Sequence, residues 1–321
     1  MFNWSGHLLS EEMLLGLGAG MGFVYWRMKF GSSDTVFVGG RSNLKGFYED
    51  LGNRTGVVMR EKHTTSAAKA ETELLRSLRE KRPVMLGGDM GMLPWFELPV
   101  DYHFGGHTFV ACGYDGKDTV LCSDIDQTAS GIKKGFFAPI SLQQLRNARN
   151  SPFKPFPPKN LWLDFDFTGF RKPGAKDILA SINQMIDAEL RPPIKNFGVS
   201  GMRHTANELL KWPEQFSERD LRMQLFNLYV FIEIGGTGGG CFRPMYSRFM
   251  KEGADVTGNR ALLKSAADFE RIGREFSEIG LMFKNAATMQ DLTGRVHAAS
   301  DGFRALADQE EETCRFLEQN I

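Results

Sequence analysis

The sequence predicts an α+β fold, with an antiparallel sheet in the first half of the chain and helices alone in the second half. Two observations predict it. Short runs rich in β-branched and aromatic residues alternate with turns up to about residue 165, and beyond that point apolar residues recur three and four positions apart. We therefore expect two domains, residues 1–167 and residues 168–321, each long enough to bury a core.

Six segments of the first half have the composition of short strands. In order, they are "DTVFVGG" (34–40), "TGVVMRE" (55–61), "PVMLGGDM" (83–90), "HTFVACGYD" (107–115), "DTVLCSDID" (118–126) and "LWLDFDF" (161–167). A helix is predicted over residues 66–82, where alanine and leucine side chains repeat at helical spacing. The alternation of short strands, turns and helices favours a mostly antiparallel sheet.

Six segments of the second half have the spacing of helices with one apolar face. They cover residues 176–191, 202–212, 217–235, 242–256, 261–286 and 291–320. Ser217 is a favourable N-cap residue for the third of them, because acidic residues follow it in the first turn. The last two segments have the length for an antiparallel pair, which would serve a homodimer or a bundle within one chain equally well.

Charge and cysteine content exclude several classes of protein. Lys and Arg together number 39, as do Asp and Glu, so the net charge of zero gives no electrostatic basis for binding nucleic acid or an anionic membrane. The four cysteines form no C-x-x-C pair, which argues against a zinc knuckle and a disulfide-stapled secreted module. The N-terminal segment has neither a basic n-region nor an apolar run of about 18 residues. We expect a cytoplasmic protein with free thiols.

One histidine, His107, begins a predicted strand directly after two glycines in "YHFGGHTFVACGYDG". If Tyr114 faces Thr119 across the turn "DGKD", Asp126 lies opposite His107, and Asp124 lies two residues away on the same face. A three-residue loop would turn both carboxylates to the other face. A carboxylate beside a histidine fixes its tautomer and stabilises the imidazolium that forms on proton uptake. The pattern indicates a general base with its orienting partner; a hydrogen-bonded structural histidine at a sheet edge is the alternative.

Other polar residues precede this strand. Tyr102 and His103 lead into it, and Asp89 ends the predicted strand "PVMLGGDM", so all three are candidates to line the same cleft. The glycine pair allows a substrate or another stretch of backbone to come close. A metal site here would combine His103, His107, Asp124 and Asp126. That combination matches no established ligand spacing, and we predict no metal or other cofactor.

The glycine-rich run "GGTGGGC" precedes the helix predicted from Phe242. Cys241 is an alternative nucleophile, since a helix N-terminus favours a thiolate, although a small residue in a tight turn is the simpler interpretation. Arg243 is a candidate to receive a carboxylate or the phosphate of a carrier arm, or else to cap the helix or bridge to Glu252. Neither this run nor "GLGAGMG" (16–22) satisfies a nucleotide-binding pattern, so close backbone packing explains the glycines better.

Several segments resemble the butirosin biosynthesis protein H family, and together they span nearly the whole chain. They are "LSEEMLLGLGAGMGFVYW", "DYHFGGHTFVACGYDG" with the following "DID", "SPFKPFPPKN" and "GTGGGCFRPMYSRFMKE". The resemblance implies a papain-like, C39-peptidase-like first domain followed by a helical domain. It implies acyl transfer in antibiotic biosynthesis, from a phosphopantetheine-linked carrier-protein thioester to a cysteine and then to an amine such as an aminoglycoside. His107 matches the family's general base, and Asp124 matches its acidic partner.

The chain departs from the family pattern at the nucleophile. The family's cysteine stands on a helix upstream of the segment "SGHLLSEE", and this sequence begins at Met1 just before that segment. We expect either a truncated first helix, which "FNWSG" favours as the end of a helix already under way, or a relative that has lost its nucleophile. The first case predicts an acyltransferase whose Cys-His-Asp site needs a longer chain. The second predicts an inactive module that binds a small molecule or a carrier protein.

Overall fold

The computed structural model describes residues 1–30, 33–41, 43, 46–96, 98, 102–125, 135–154, 156–235 and 239–321. They form two compact units, each built from two stretches of sequence. The first unit comprises Met1–Leu8 and Gly56–Phe170, and the second comprises Leu9–Thr55 and Arg171–Ile321. The single boundary predicted at residue 167 is corrected accordingly, since Leu9–Thr55 folds with the helical unit.

The helices and strands follow one another in chain order. They are α1 (Glu11–Leu17), β1 (Val24–Phe30), β2 (Ser33–Gly39), α2 (Phe47–Thr55), β3 (Val58–Lys62), α3 (Ala67–Arg79), β4 (Val84–Gly88), β5 (His107–Tyr114), β6 (Thr119–Ile125), β7 (Gly135–Ser141), α4 (Leu142–Arg149), β8 (Trp162–Asp166), α5 (Ala175–Leu190), α6 (Gly198–Leu209), α7 (Trp212–Gln215), α8 (Glu218–Tyr229), α9 (Arg243–Thr257), α10 (Ala261–Met282) and α11 (Leu292–Asn320).

The first unit contains a six-stranded sheet in the order β3-β8-β4-β5-β6-β7, and every neighbouring pair is antiparallel. Helices α3 and α4 contribute to the apolar core on one face of this sheet. Its buried members include Leu74, Leu86, Phe109, Cys122 and Leu145. The α+β fold class and the antiparallel sheet predicted from the sequence are confirmed.

The β5–β6 hairpin contains a β-bulge at Cys112 that sets the register around His107. Near the turn, Tyr114 pairs with Val120 rather than with Thr119, so the predicted turn register is wrong by one residue. Beyond the bulge, Val110 pairs with Ser123, which is the register predicted for the far end of the hairpin. The extra residue on β5 therefore returns Asp124 to the face that His107 occupies.

The second unit combines α1, α2 and the β1–β2 hairpin with helices α5–α11. Phe23, just before β1, is fully buried, and its ring centroid lies 6.2 Å from that of Phe276 and 6.0 Å from that of Phe303. Gly16 of α1 lies so close to the Phe249 ring of α9 that a Cβ would overlap it. The apolar surface of the N-terminal segment is thus buried against α9, α10 and α11, which is why the segment belongs to this unit.

The predicted elements overlap observed ones. Ser217 caps α8 by accepting a hydrogen bond from the Asp220 backbone N–H, as expected. The segment 217–235 is not one α-helix, because α8 ends at Tyr229 and a π-helical turn, Val230–Ile234, follows. Among the described residues, no helix combines the length and apolar character needed to cross a membrane.

Candidate active site

His107 and Asp124 lie side by side at one end of the β5–β6 hairpin. His107 Nε2 is 2.7 Å from Asp124 Oδ2. The Asp124 side chain is 5% exposed and that of His107 is 16% exposed, so the carboxylate is buried while the imidazole keeps an accessible edge. The structure thus brings together the two residues that the sequence singled out as base and partner.

Aromatic side chains enclose this pair. Trp95 Nε1–H donates a hydrogen bond to Asp124 Oδ2 over 2.9 Å. The Phe96 ring meets the His107 imidazole edge-on, with centroids 5.1 Å apart, and Phe109 lies nearly parallel to it at 6.2 Å. Two donors on one carboxylate oxygen and two flanking rings hold the imidazole in a single orientation.

The hydrogen bond to Asp124 determines which imidazole nitrogen is basic. An ionised carboxylate only accepts hydrogen bonds, so the proton of neutral His107 resides on Nε2 and Nδ1 carries the lone pair. Within the part of the chain that the structure describes, Nδ1 has no hydrogen-bond partner. His107 can therefore take a proton from a nucleophile on its Nδ1 side and later return it to a leaving group.

Asp89 and His103 form a second pair, which holds the chain before β5. Asp89 is fully buried, and its Oδ2 accepts hydrogen bonds from His103 Nδ1–H (2.9 Å) and Ser151 Oγ–H (2.5 Å). Its Oδ1 accepts from the backbone N–H groups of Gly91 (3.1 Å) and Phe104 (2.9 Å). Because its two oxygens accept four hydrogen bonds, Asp89 connects three segments of the chain and is not a free carboxylate in the cleft.

Phe153 and Phe156 pack on the approach to β5. Phe153 stacks on the His103 ring with centroids 3.4 Å apart, and the carbonyl of Phe156 lies against Gly105, where a Cβ would collide with it. Gly105 thus accommodates the backbone of Phe156, and Gly106 accommodates the Phe104 ring, rather than a substrate. Tyr102 is buried beside these residues, and burial raises the pKa of its hydroxyl.

No metal centre is found in the described ranges. His103 is held by Asp89 and His107 by Asp124, and no group of three or more His, Cys, Asp or Glu side chains converges there. Asp126, the carboxylate predicted opposite His107, lies outside the described residues.

Cys241 and Arg243 lie in the second unit and are both fully buried. Burial raises the pKa of the Cys241 thiol to about 12, which argues against the alternative that Cys241 is a thiolate nucleophile at a helix N-terminus. Arg243 pairs with Glu310 through two hydrogen bonds of 2.9 and 2.5 Å. The expectations that Arg243 receives an external carboxylate or phosphate, or bridges to Glu252, are therefore wrong. The left-handed backbone at Cys241 and its close approach to Gly40 fit the tight-turn interpretation.

A buried carboxyl group in the same unit predicts a pH-dependent stability. Glu189 is fully buried, and burial, followed by the charge of Glu310, raises its pKa well above the ordinary value of 4.5. At pH values above about 4.5, Glu189 is ionised in the unfolded chain but still binds a proton in the folded chain. As the pH rises through this range, Glu189 therefore lowers the free energy of unfolding by up to about 1.4 kcal/mol per pH unit. Urea unfolding at a series of pH values should show that Glu189→Gln is more stable than the wild type at pH 8, with a difference that shrinks toward acid.

Glu311 supplies the matched control for this prediction. Hydrogen bonds from Arg203 and Arg315 lower its pKa, so its contribution to stability is present above the unfolded pKa and is lost only as pH falls further. Glu311→Gln should therefore show a constant stability difference between pH 6 and pH 8. A constant difference for Glu189→Gln over the same range would contradict the assignment of a raised pKa to Glu189.

Two hydrogen-bond donors of the first unit, Trp95 and Ser151, were not predicted from the sequence. Trp95 and Ser151 donate hydrogen bonds to Asp124 and Asp89, and both stand in irregular chain between strands. No periodicity marks such positions, so only the folded chain shows which carboxylate each one reaches.

Residues 1–125 match the family described as butirosin biosynthesis protein H, N-terminal, and residues 143–317 match a domain of unknown function, DUF4872. No curated protein matches the chain. The family name connects these proteins with antibiotic biosynthesis. Both the matches and their order agree with the resemblance drawn from the sequence, and the chain belongs to the butirosin biosynthesis protein H family, with the domain of unknown function following the N-terminal one.

Proposed function

We propose that the protein transfers an amino-acid-derived acyl group from a carrier-protein thioester to an amine, through a papain-like Cys-His-Asp site. The observation that carries the proposal is the 2.7 Å hydrogen bond from His107 Nε2–H to Asp124 Oδ2, which leaves Nδ1 as the proton acceptor. The family membership supports the acyl-transfer class.

The reaction divides into two proton-balanced steps. His107 Nδ1 removes the proton of a cysteine thiol; the thiolate attacks the thioester carbonyl, and the carrier thiol leaves with the proton. The amine then attacks the acyl-cysteine carbonyl, His107 takes up the proton released by the amine nitrogen, and the cysteine thiol is regenerated with it. The products are an amide and the free carrier thiol. In both steps Asp124 stabilises the imidazolium.

None of the four cysteines in the sequence suits the nucleophile of this scheme. Cys122, Cys241 and Cys314 are buried, and burial raises the thiol pKa of Cys122 and Cys241 to about 12. Cys112 is half-buried, donates to the Leu121 carbonyl, and also has a pKa raised by burial. The proposal therefore assigns the nucleophile to another cysteine, as the family resemblance implies, and it assigns the carrier protein and a small polar amine as partners.

Amide formation tests this function. A protein that carries the nucleophilic cysteine together with the His107–Asp124 pair would be incubated with an aminoacyl N-acetylcysteamine thioester, as a mimic of the carrier arm, and with an aminoglycoside that carries primary amines. Mass spectrometry should detect the amide product and, without the amine, an acyl adduct on one cysteine. If the product is absent with a panel of aminoacyl groups, and thioester hydrolysis does not exceed the uncatalysed rate, the acyltransferase proposal fails.

The burial of the described thiols favours a second candidate function, a binding module without turnover. In that case the cleft beside His107 holds a carrier arm or a small amine, and the histidine and carboxylate only donate and accept hydrogen bonds. Calorimetric titration with the same thioester and amine separates the two functions. Saturable binding without acyl adduct or product supports the binding module, whereas adduct formation supports the enzyme.

A further inference from the structure

A cavity of about 330 Å³ lies within the first unit beside α3 and the strands β4 and β8. Its apolar lining includes Leu74 of α3, Leu86 of β4 and Trp162 of β8. Its charged lining consists of Lys62, Arg76, Arg82, Arg149, Glu73 and Asp164. Four cations against two carboxylates give the lining an excess of positive charge beside an aromatic surface.

Three of the cations already have carboxylate partners. Lys62 pairs with Asp164, Arg76 with Glu73, and Arg82 with Glu80. The remaining cation, Arg149 at the end of α4, is only 3% exposed. No carboxylate of the described residues lies within ion-pairing distance of its guanidinium, and its Nε is buried without a hydrogen-bond partner.

The contacts of Arg149 within the unit do not neutralise the charge of its buried guanidinium. Its Nη1 donates to the Ala70 carbonyl over 3.2 Å, but Ala70 lies inside α3, where that carbonyl already accepts the helical hydrogen bond. Burial lowers the pKa of the guanidinium to about 10, and the charge of Glu71, which is paired with Arg146, offsets only part of this effect. A buried, unpaired cation is costly to a folded protein unless a ligand or another group neutralises it.

We propose that this cavity binds a small organic anion, whose acidic group pairs with Arg149 and whose flat apolar body lies against Trp162, Leu74 and Leu86. The guanidinium fork suits a carboxylate or a phosphate monoester, both of which offer two oxygens to parallel N–H donors. This site does not depend on the proposed acyl transfer, because none of its lining residues belongs to the His107–Asp124 pair.

Thermal unfolding and calorimetry of the whole protein test the proposal with four probes. Phenyl phosphate and benzoate carry both the acidic group and the flat body, inorganic phosphate carries the acid alone, and phenol carries the body alone. The two aromatic anions should bind and raise the melting temperature, and each partial probe should bind at least about tenfold more weakly. Comparison of phenyl phosphate with benzoate identifies the preferred acid.

Three variants decide whether Arg149 and the cavity are responsible. Arg149→Met should weaken binding of the aromatic anions by roughly tenfold or more, as expected for loss of a charge-assisted hydrogen bond. Ser77→Phe, which fills the cavity from α3 and leaves Arg149 in place, should also abolish binding. Arg79→Met removes a cation from the exposed face of α3, outside the cavity lining, and should leave binding unchanged.

The proposal is overturned if neither aromatic anion binds the wild type at millimolar concentration, or if Ser77→Phe binds them with wild-type affinity. Equal binding by a folded Arg149→Met overturns it as well. Circular dichroism of each variant establishes the fold, and if Arg149→Met is unfolded, Ser77→Phe gives the decision.

Discussion

Replacing His107 with alanine is expected to reduce amide formation by about 10²–10⁴-fold, the contribution typical of a general base, without loss of the fold. In the proposed reaction the imidazole accepts the thiol proton, because its Nε2–H is committed to Asp124 and its Nδ1 has no hydrogen-bond partner among the residues that the structure describes. The side chain lies partly exposed between Phe96 and Phe109, so its removal leaves a small gap beside solvent rather than a closed core cavity. Rates with the aminoacyl thioester and amine check the expectation, measured with and without the substitution in a protein that carries the nucleophilic cysteine.

Added imidazole separates a catalytic role for His107 from a structural one. In His107→Ala the gap between the two phenylalanine rings can accept free imidazole, and partial recovery of the rate with imidazole concentration is expected if the histidine moves protons. His63→Ala is the matched control, since His63 belongs to the same unit and is exposed. Wild-type rates in His107→Ala would refute the assignment of the base, and loss of rate in His63→Ala would show that the assay responds to stability instead.

The His107–Asp124 pair was predictable because two local patterns converge on it. Strand composition identified both arms of the hairpin, and the side-chain period of two placed Asp124 on the face of His107. The pairing predicted at the turn was wrong, since Tyr114 pairs with Val120 and not with Thr119. The bulge at Cys112 then restores the predicted pairing register at the far end of the hairpin. A bulge leaves little trace in a single sequence, because it depends on how the two strands twist against each other.

The assignment of elements to the two units could not be predicted from local sequence, because it depends on contacts between residues far apart in the chain. The strand β2 was expected in the first domain because its composition resembles that of its neighbours in sequence, yet it belongs to the helical unit. What decides its place is the burial of Phe23 against α10 and α11, and no local pattern encodes that partner.

The helix α1 and the strand β7 were not predicted for a related reason: α1 has only seven residues, and β7 contains Pro139, which strands disfavour. Such short elements are specified by the packing around them.

The role of Arg243 shows the same dependence on distant partners. From the sequence, an arginine after a glycine-rich run suggested an anion site. In the structure it joins the two sequence stretches of the second unit, because its Nη1 donates to the Gly22 carbonyl over 2.7 Å while its Nε and Nη2 pair with Glu310 of α11. The guanidinium also lies 4.8 Å from the Phe276 ring centroid. All three of its side-chain nitrogens therefore donate hydrogen bonds within the unit.

Replacing Arg243 with methionine is expected to lower the free energy of unfolding by about 3–5 kcal/mol, the cost of leaving one partner of a buried ion pair uncompensated. Methionine fills much of the volume but leaves the Glu310 carboxylate and the carbonyls of Gly22 and Cys241 without their donor. Urea unfolding of the whole chain, followed by circular dichroism, measures the loss. Arg248→Met is the control: its partner is Glu12, both side chains are partly exposed, and the loss should stay below about 1 kcal/mol.

A double substitution identifies the physical origin of that loss. If the uncompensated charge of Glu310 is the cause, then Arg243→Met combined with Glu310→Met should recover much of the stability lost in Arg243→Met, because replacing both partners with apolar side chains removes the buried charge. Glu189, whose pKa is raised by burial, can remain protonated beside the new methionines. A double variant as unstable as the single one would indicate instead that the stability depends on the hydrogen bonds of Arg243 to the carbonyls of Gly22, in the N-terminal segment, and of Cys241, just before α9.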